Sequence, residues 1–292
     1  MRVNYEAGAI RDAAGRTARP GVVAVEGGRI VAAGSGGEVR RAAGKADRRV
    51  ALPDRLLVPG LVNAHAHLEL TDIGPRPNPG DFIAWVRMVM AERPTAAAAR
   101  GAAVRRGAAM SRGSGVLRVG DIGAAAEPGV LREAGVDGVS FGELFGVGPP
   151  WDGEAIEAAR GTAASAGMGW QPHAPYSAGP GVYEAAALSG AAVATHLAET
   201  RAELAFVAGA RGPFRELLEG LGKWDDSFAG GYSGGLSPVW CQLGEAGPCG
   251  EAVHRRRWLC AHCNYVDEAD VALLAARGAS VAYCPRASDY FG

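Results

Sequence analysis

The sequence predicts an α/β protein whose main part is a (β/α)8 barrel of the TIM type. After residue 58, short apolar segments alternate with alanine-rich helical segments, and this alternation predicts βα units and a parallel sheet. Five of the six histidines fall at the carboxyl ends of the predicted strands, where the active site of such a barrel lies. Seven strands are predicted, at residues 57–67, 116–122, 138–145, 169–173, 192–197, 258–262 and 280–284. The barrel is expected to lack its last strand, because the chain stops at Gly292, just after the seventh.

The segments around these strands complete the outline. Residues 22–25 and 29–33 are short β-prone runs joined through Glu26-Gly27-Gly28, which predicts a hairpin within a small N-terminal β unit. Residues 212–251 interrupt the alternation, and they are either a substrate-facing barrel loop or a tolerated surface insertion. Helices are predicted at residues 82–91, 95–111, 153–166, 202–210 and 268–277.

Composition argues against several classes of protein. The net charge of −1 gives no electrostatic basis for binding nucleic acid or an acidic membrane surface. No apolar run reaches the length of a membrane span, and the N-terminus lacks the apolar core of a signal peptide. The five cysteines are odd in number and irregularly spaced, which does not suggest a disulfide framework. A cytoplasmic location is therefore the expectation.

The pair His65 and His67, separated by one alanine, closes an apolar run that has the pattern of a buried strand. Side chains two residues apart on a strand point to the same face, so both imidazoles can bind one metal ion. The alternative is that two polar residues simply leave the strand at the surface. Further candidates at later strand ends favour the metal site, and they are His173, His196 followed by Glu199, and His262.

Three motifs together resemble the amidohydrolase superfamily. They are PGLVNAHAH at residues 59–67, HAPYS at 173–177 and THLAET at 195–200, and the resemblance covers nearly the whole chain. They are most similar to the deaminase and chlorohydrolase branch, which includes S-adenosylhomocysteine, guanine and aminodeoxyfutalosine deaminases. The resemblance implies a metal-dependent aminohydrolase acting on an amino-substituted purine nucleoside or a related heterocycle. The implied reaction is attack by a metal hydroxide with release of ammonia.

The resemblance also assigns roles to the strand-end residues. His65, His67 and His196 would bind one divalent metal ion, with zinc expected and iron as the alternative. Three protein ligands leave room for a water whose pKa the metal lowers. Glu199 would move the protons of this water as general base and then acid, although a carboxylate there also suits a helix N-terminus. His262 resembles the histidine that orients or polarises the water or the attacked carbon.

A single metal ion is favoured over two. Binuclear members of the superfamily commonly bridge two ions with a carboxylated lysine on the fourth strand. The only lysines here are Lys45 and Lys223, and neither lies near a predicted strand end of the barrel.

Three residues are candidates for contact with a small-molecule substrate. His173 resembles a substrate-contacting histidine of this branch. Trp85 either walls the pocket or belongs to the core face of an amphipathic helix. Glu69 either contacts substrate or is a polar loop residue. The sequence does not determine the oligomeric state, although members of this family are often dimers or larger, so a homo-oligomer is one alternative.

The chain departs from the family pattern at its end. The pattern expects an aspartate after the eighth strand, and only the N-terminal part of the small β-sandwich of the family is present. We therefore expect residues 1–57 to be part of that sandwich and residues 58–292 to be an incomplete barrel. We also expect these residues to be part of a longer protein and to be poorly stable and weakly active alone. The alternatives are hydrolysis of another leaving group, such as chloride, and an inactive fragment or binding protein.

Overall fold

The computed structural model describes residues 1–123, 127–147, 167–228 and 257–291. Contacts between residues divide the chain into two units, Met1–Leu61 and Val62–Gly292. In the described ranges, no helix combines the length and the apolar character that crossing a membrane requires.

The N-terminal unit contains a five-stranded sheet in the order β2-β1-β3-β4, with β5 paired in parallel to β1. The predicted hairpin is confirmed, since β3 and β4 pair antiparallel around Gly27 and Gly28. Both glycines have positive φ, which glycine adopts without steric cost. Helix α1 (Gly36–Ala43) buries Val39 in a small core with residues of β3. The assignment of this unit to a β-sandwich remains a prediction. Its strands are β1 (Arg2–Arg11), β2 (Thr17–Ala18), β3 (Gly21–Glu26), β4 (Arg29–Gly34) and β5 (Arg48–Leu57).

The second unit confirms the predicted parallel sheet. Among the described residues it has seven strands, and their order in space follows their order in the chain, from β6 to β12. Every neighbouring pair from β7 to β12 is parallel, so the carboxyl ends of these strands meet at one edge. The strands are β6 (Leu61–Ala66), β7 (Val116–Gly123), β8 (Asp137–Leu144), β9 (Met168–Pro172), β10 (Ala192–Leu197), β11 (Trp258–His262) and β12 (Ser280–Ala282).

Helices connect these strands, and four of the five predicted helices are confirmed to within two residues. They are the helices at Phe82–Glu92, Ala97–Gly113, Arg201–Gly209 and Glu268–Ala276. The fifth, at residues 153–166, lies outside the described residues. Four of the described helices begin with proline, whose fixed φ suits the first helical turn. The helices are α2 (Phe82–Glu92), α3 (Ala97–Gly113), α4 (Pro128–Glu133), α5 (Pro180–Leu188), α6 (Arg201–Gly209), α7 (Pro213–Gly220), α8 (Glu268–Ala276) and α9 (Pro285–Phe291).

The largest core cluster joins β10, β11 and α5. Trp258 and Tyr183 are fully buried in it, with ring centroids 5.6 Å apart. The Tyr183 hydroxyl shares a hydrogen bond of 2.8 Å with the Thr195 hydroxyl, which itself donates to the carbonyl of His196. The core therefore supports the end of β10 directly.

Two expectations about chain segments need correction. The predicted strand at 57–67 is two strands, since Leu57 ends β5 beside β1 and β6 begins only at Leu61. Pro59 lies between them, and proline has no N–H for a ladder. The start of β6 is not buried, because β6 is an outer strand of the described sheet and Val62 is 65% exposed. The segment 212–251 is not all loop, since α7 lies in its described part, and residues 229–251 lie outside the described residues.

Candidate metal centre

Three imidazoles converge at the carboxyl ends of β6 and β10. His65 is the fifth residue of β6, His67 follows that strand, and His196 is the fifth residue of β10. One nitrogen from each ring lies within 4.8 Å of the others, and the Nε2 atoms of His67 and His196 are 3.1 Å apart. The structure thus brings together the three residues that the sequence predicts as ligands.

Burial keeps these imidazoles neutral. Removal from water disfavours the imidazolium, so the pKa of His65 and that of His67 lie well below 6.5, with neighbouring histidines lowering them further. Burial also lowers the pKa of His196 to about 4. Its Nδ1–H donates to the His173 carbonyl at 2.7 Å, which leaves the lone pair on Nε2. The buried Nδ1 of His65 has no hydrogen-bond partner in the described part of the chain. Neutral imidazoles with unused lone pairs fit a divalent metal ion.

A carboxyl group and a fourth histidine lie beside the three imidazoles. Glu199 Oε1 is 3.4 Å from His262 Nε2, and the His262 ring centroid is 5.4 Å from that of His65. Burial, and then repulsion from Glu203, raise the pKa of Glu199 to about 8. Burial, and then His196, lower the pKa of His262 to about 3. Glu199 and His262 thus face each other as a buried pair, and their facing atoms are close enough for the two side chains to share a proton.

The backbone is strained where these side chains leave the sheet. Ala198, His262 and Cys263 have φ of 49°, 72° and 51°, which is the left-handed region. Such conformations cost on the order of 1 to 3 kcal/mol each in non-glycine residues, and they cluster at functional sites. The turn after β10 and the turn after β11 are joined by backbone hydrogen bonds. The N–H of Cys263 donates to the Leu197 carbonyl at 2.8 Å, and the N–H of Asn264 donates to the Ala198 carbonyl at 3.0 Å.

Of the predicted substrate contacts, His173 lies at the same edge of the sheet as the three candidate metal ligands. Its ring centroid is 4.9 Å from that of His196, and its ring stacks on Phe145 at 4.8 Å. The hydrogen bond of 2.6 Å between His173 Nδ1 and Ser177 Oγ fixes the orientation of the ring. His173 therefore has a defined orientation next to the ligand cluster.

Trp85 and Glu69 occupy different surroundings. Trp85 lies on α2 in an aromatic group with Phe82 and Phe291, whose centroids are 5.6 and 5.3 Å from its own. Glu69 lies in the short 3-10 turn after His67 and is only 4% exposed, so it is a buried carboxyl group and not an exposed loop residue. The structure does not place Trp85 in contact with the histidines among the described residues.

A cavity of about 230 Å³ adjoins Glu199. The Arg201 guanidinium lies 4.9 Å from the ring centroid of Tyr265, one of its aromatic walls. Three of the eight lining residues are aromatic and the other five are polar or charged, so the cavity combines aromatic surface with hydrogen-bonding groups. The other lining residues are Phe82, Thr200, Asn264, Ser288 and Phe291.

Sequence reasoning missed three buried carboxyl groups around the site, namely Asp121, Glu143 and Glu203. Burial raises the pKa of Asp121 and that of Glu203 to about 7, and that of Glu143 to about 8. Asp121 accepts the backbone N–H that follows His67, and Glu143 Oε1 is 3.7 Å from His173 Nε2. Asp121 and Glu143 lie near the carboxyl ends of predicted strands, which is the signal that could have identified them. For Glu203 the signal is a threonine three residues earlier, the pattern of a helix cap.

Residues 56–292 match the model of the amidohydrolase family, and the chain belongs to that family. A 5-methylthioadenosine/S-adenosylhomocysteine deaminase of Symbiobacterium thermophilum is 28% identical over 288 residues, covering 91% of this chain. The chain spans 58% of the length of that relative.

Solved structures confirm the barrel fold. The Helicobacter pylori aminofutalosine deaminase in complex with methylthio-coformycin matches with a TM-score of 0.75 and 19% identity, over 97% of this chain and 69% of that one. An adenosine deaminase from Xanthomonas campestris with bound zinc has a TM-score of 0.65 and 22% identity, over 97% and 62%. A triazine hydrolase from Arthrobacter aurescens has a TM-score of 0.69 and 16% identity, over 100% and 67%. At these identities the likeness is one of fold.

Proposed function

We propose that this protein is a metal-dependent hydrolase that deaminates an amino-substituted purine nucleoside or a related heterocycle and releases ammonia. The observation that carries the proposal is the convergence of three neutral imidazoles beside the Glu199–His262 pair. The deaminase named at 28% identity supports the choice of leaving group and of an adenine-type ring. The proposal includes a small-molecule substrate, and a cytoplasmic location remains a prediction.

His65, His67 and His196 would hold one divalent ion, and zinc is proposed because a structural neighbour carries it. When bound, the ion supplies a water of lowered pKa as the nucleophile. An ion held by these three histidines would favour the ionised form of Glu199, which is the form that a general base requires.

The remaining roles follow from the placement of each side chain. Glu199 takes a proton from the nucleophilic water and delivers it to the ring nitrogen or the departing amine. His262 Nε2 lies 3.4 Å from Glu199 Oε1 and orients that carboxylate. It accepts a hydrogen bond from the protonated carboxyl group and donates one to the ionised carboxylate. His173 contacts the substrate ring from the neighbouring strand end, and we retain Trp85 and Glu69 as substrate contacts within this proposal.

The test measures ammonia release when zinc-loaded protein is incubated with 5-methylthioadenosine or S-adenosylhomocysteine. Glu199→Gln keeps the shape of the side chain but removes the titrating group, so we expect kcat to fall about 10²- to 10⁴-fold while bound zinc is retained. Glu219→Gln on the surface helix α7 is the control and should leave kcat unchanged.

Two results would contradict the proposal. One is turnover that survives Glu199→Gln, and the other is a zinc-loaded protein that releases no ammonia from any aminopurine nucleoside. The fold likeness to a triazine hydrolase makes chloride the second leaving group to assay, with a chlorotriazine as substrate. Chloride release without ammonia release would replace the deaminase by a chlorohydrolase.

A further inference from the structure

Glu203 is a buried carboxyl group that contacts the backbone of the Glu199 turn. It lies in the first turn of α6 and is 0% exposed. Its Oε1 accepts the N–H of Ala198 and its Oε2 accepts the N–H of Glu199, each at 2.8 Å. Both carboxylate oxygens are thus used by consecutive backbone donors.

This arrangement differs from an ordinary capping box. Thr200 is the N-cap of α6 and accepts the N–H of Glu203 at 3.1 Å. In a capping box the glutamate would return a bond to the N–H of Thr200 itself. Here it reaches past the cap to the two preceding residues, Ala198 and Glu199. The bonds therefore stabilise the turn that bears Glu199 and not only the helix end.

The turn needs such support because of its conformation. Ala198 has φ of 49°, and this left-handed conformation is unfavourable for a residue with a Cβ, which lies too close to the following carbonyl oxygen. A left-handed residue lets successive N–H groups point to the same side, where they form a small anion-binding concavity. The Glu203 carboxylate occupies that concavity and offsets the strain.

Glu199 is held at its other end as well. The side-chain amide of Asn264 donates to the Glu199 carbonyl at 3.1 Å. The backbone N–H of Glu199 is therefore fixed by Glu203 and its backbone C=O by Asn264. The carboxyl group of Glu199 is left to face His262.

We propose that Glu203 is a positioning residue, which places the Glu199 carboxylate for proton transfer by accepting the N–H groups of Ala198 and Glu199. Glu203 does not line the cavity and is fully buried, so it acts through Glu199 and not on a substrate. The inference rests on the proposed function, since it assigns Glu199 the proton-transfer step.

Glu203→Gln is the decisive change, because glutamine has one acceptor oxygen for two N–H donors. Misplacement of a reacting group by about 1 Å costs up to about 100-fold in rate, so we expect kcat for 5-methylthioadenosine to fall about 10- to 100-fold. KM and zinc content should stay within twofold of wild type. Asp270→Asn is the matched control, since Asp270 is a buried carboxyl group that accepts an N–H at the start of α8, and we expect it to leave kcat unchanged.

A double variant separates positioning from general structural support. If Glu203 acts through Glu199, adding Glu203→Gln to Glu199→Gln lowers the residual kcat no further. Loss by the same factor in both backgrounds would mean that Glu203 only maintains the fold, and would overturn the inference. Unchanged kcat in the single variant would overturn it as well.

Amide hydrogen exchange gives a readout that needs no substrate. The amides of residues 198 and 199 should exchange at least 10-fold faster in Glu203→Gln, and unchanged protection contradicts the inference. If wild type releases no ammonia while these amides lose protection, the proposed function fails and the backbone role of Glu203 stands. If Glu203→Gln does not fold, Glu203→Asp shortens the side chain, keeps the charge and is measured in the same way.

Discussion

Replacing Gly120 by alanine tests whether the spacing between two strands sets the metal affinity. A Cβ on Gly120 in β7 would lie 2.1 Å from the carbonyl oxygen of Ala64 in β6. An ordinary C···O contact is about 3.3 Å, so β6 must move away from β7 by about 1 Å. His65 and His67 move with β6, whereas His196 stays on β10.

The size of the effect follows from the tolerance of metal sites. Ligand distances in such sites vary by only about 0.2 Å, so a shift of about 1 Å breaks the geometry of the cluster. We expect Gly120→Ala to weaken zinc binding at least 10- to 100-fold, or about 1.4 to 2.7 kcal/mol. Overpacking should also lower the free energy of unfolding by about 1 to 3 kcal/mol.

Competition with a chromophoric chelator measures the zinc Kd, and thermal unfolding by circular dichroism measures stability. Gly129→Ala in α4 is the control, because a Cβ there meets nothing within 4 Å. Alanine is favoured over glycine in a helix by about 0.5 to 1 kcal/mol, so this control should keep its zinc affinity and gain slightly in Tm. A Gly120→Ala protein with a zinc Kd within twofold of wild type would show that the spacing between β6 and β7 does not set the metal affinity.

Two further predictions concern stability. Tyr183→Phe removes the hydrogen bond of 2.8 Å to Thr195, and we expect unfolding in urea to show a loss of about 1 kcal/mol; no change in the midpoint would contradict this. In the metal-free protein the pKa of Glu143 and that of Glu199 are about 8, above the unfolded value near 4.3. Between about pH 6.5 and 8 the folded state therefore binds more protons than the unfolded state, and the free energy of unfolding falls as the pH rises. Denaturant titrations at three pH values in this range check the sign, and a rising stability would disprove it.

The arrangement of the strands could be predicted from local patterns. Alternation of apolar and alanine-rich segments identifies β7 to β12, because short apolar runs separated by helical patterns are typical of βα units. The start of β6 could not be located in this way. Leu56 and Leu57 are as apolar as Leu61 and Val62, yet the first two pair with β1 and the last two lie on an outer strand.

The candidate site shows the same division. The spacing of His65 and His67, and the glutamate three residues after His196, are local features, so the sequence identifies these groups. Glu203 and Asp121 escape such reasoning, because their role depends on which backbone N–H groups lie near them in the folded chain.

The sequence alone predicts the parallel α/β fold, the imidazoles at its strand ends and the carboxyl group next to them. Only the tertiary structure decides that Glu199 Oε1 faces His262 at 3.4 Å, that burial raises its pKa to about 8, and that its backbone is held from both sides. The physical reason is that these properties depend on desolvation and on hydrogen bonds between residues from different loops. Residue type and spacing along the chain specify which groups are present, but the closeness of β6 to β7 and the left-handed turn at Ala198 determine where they point.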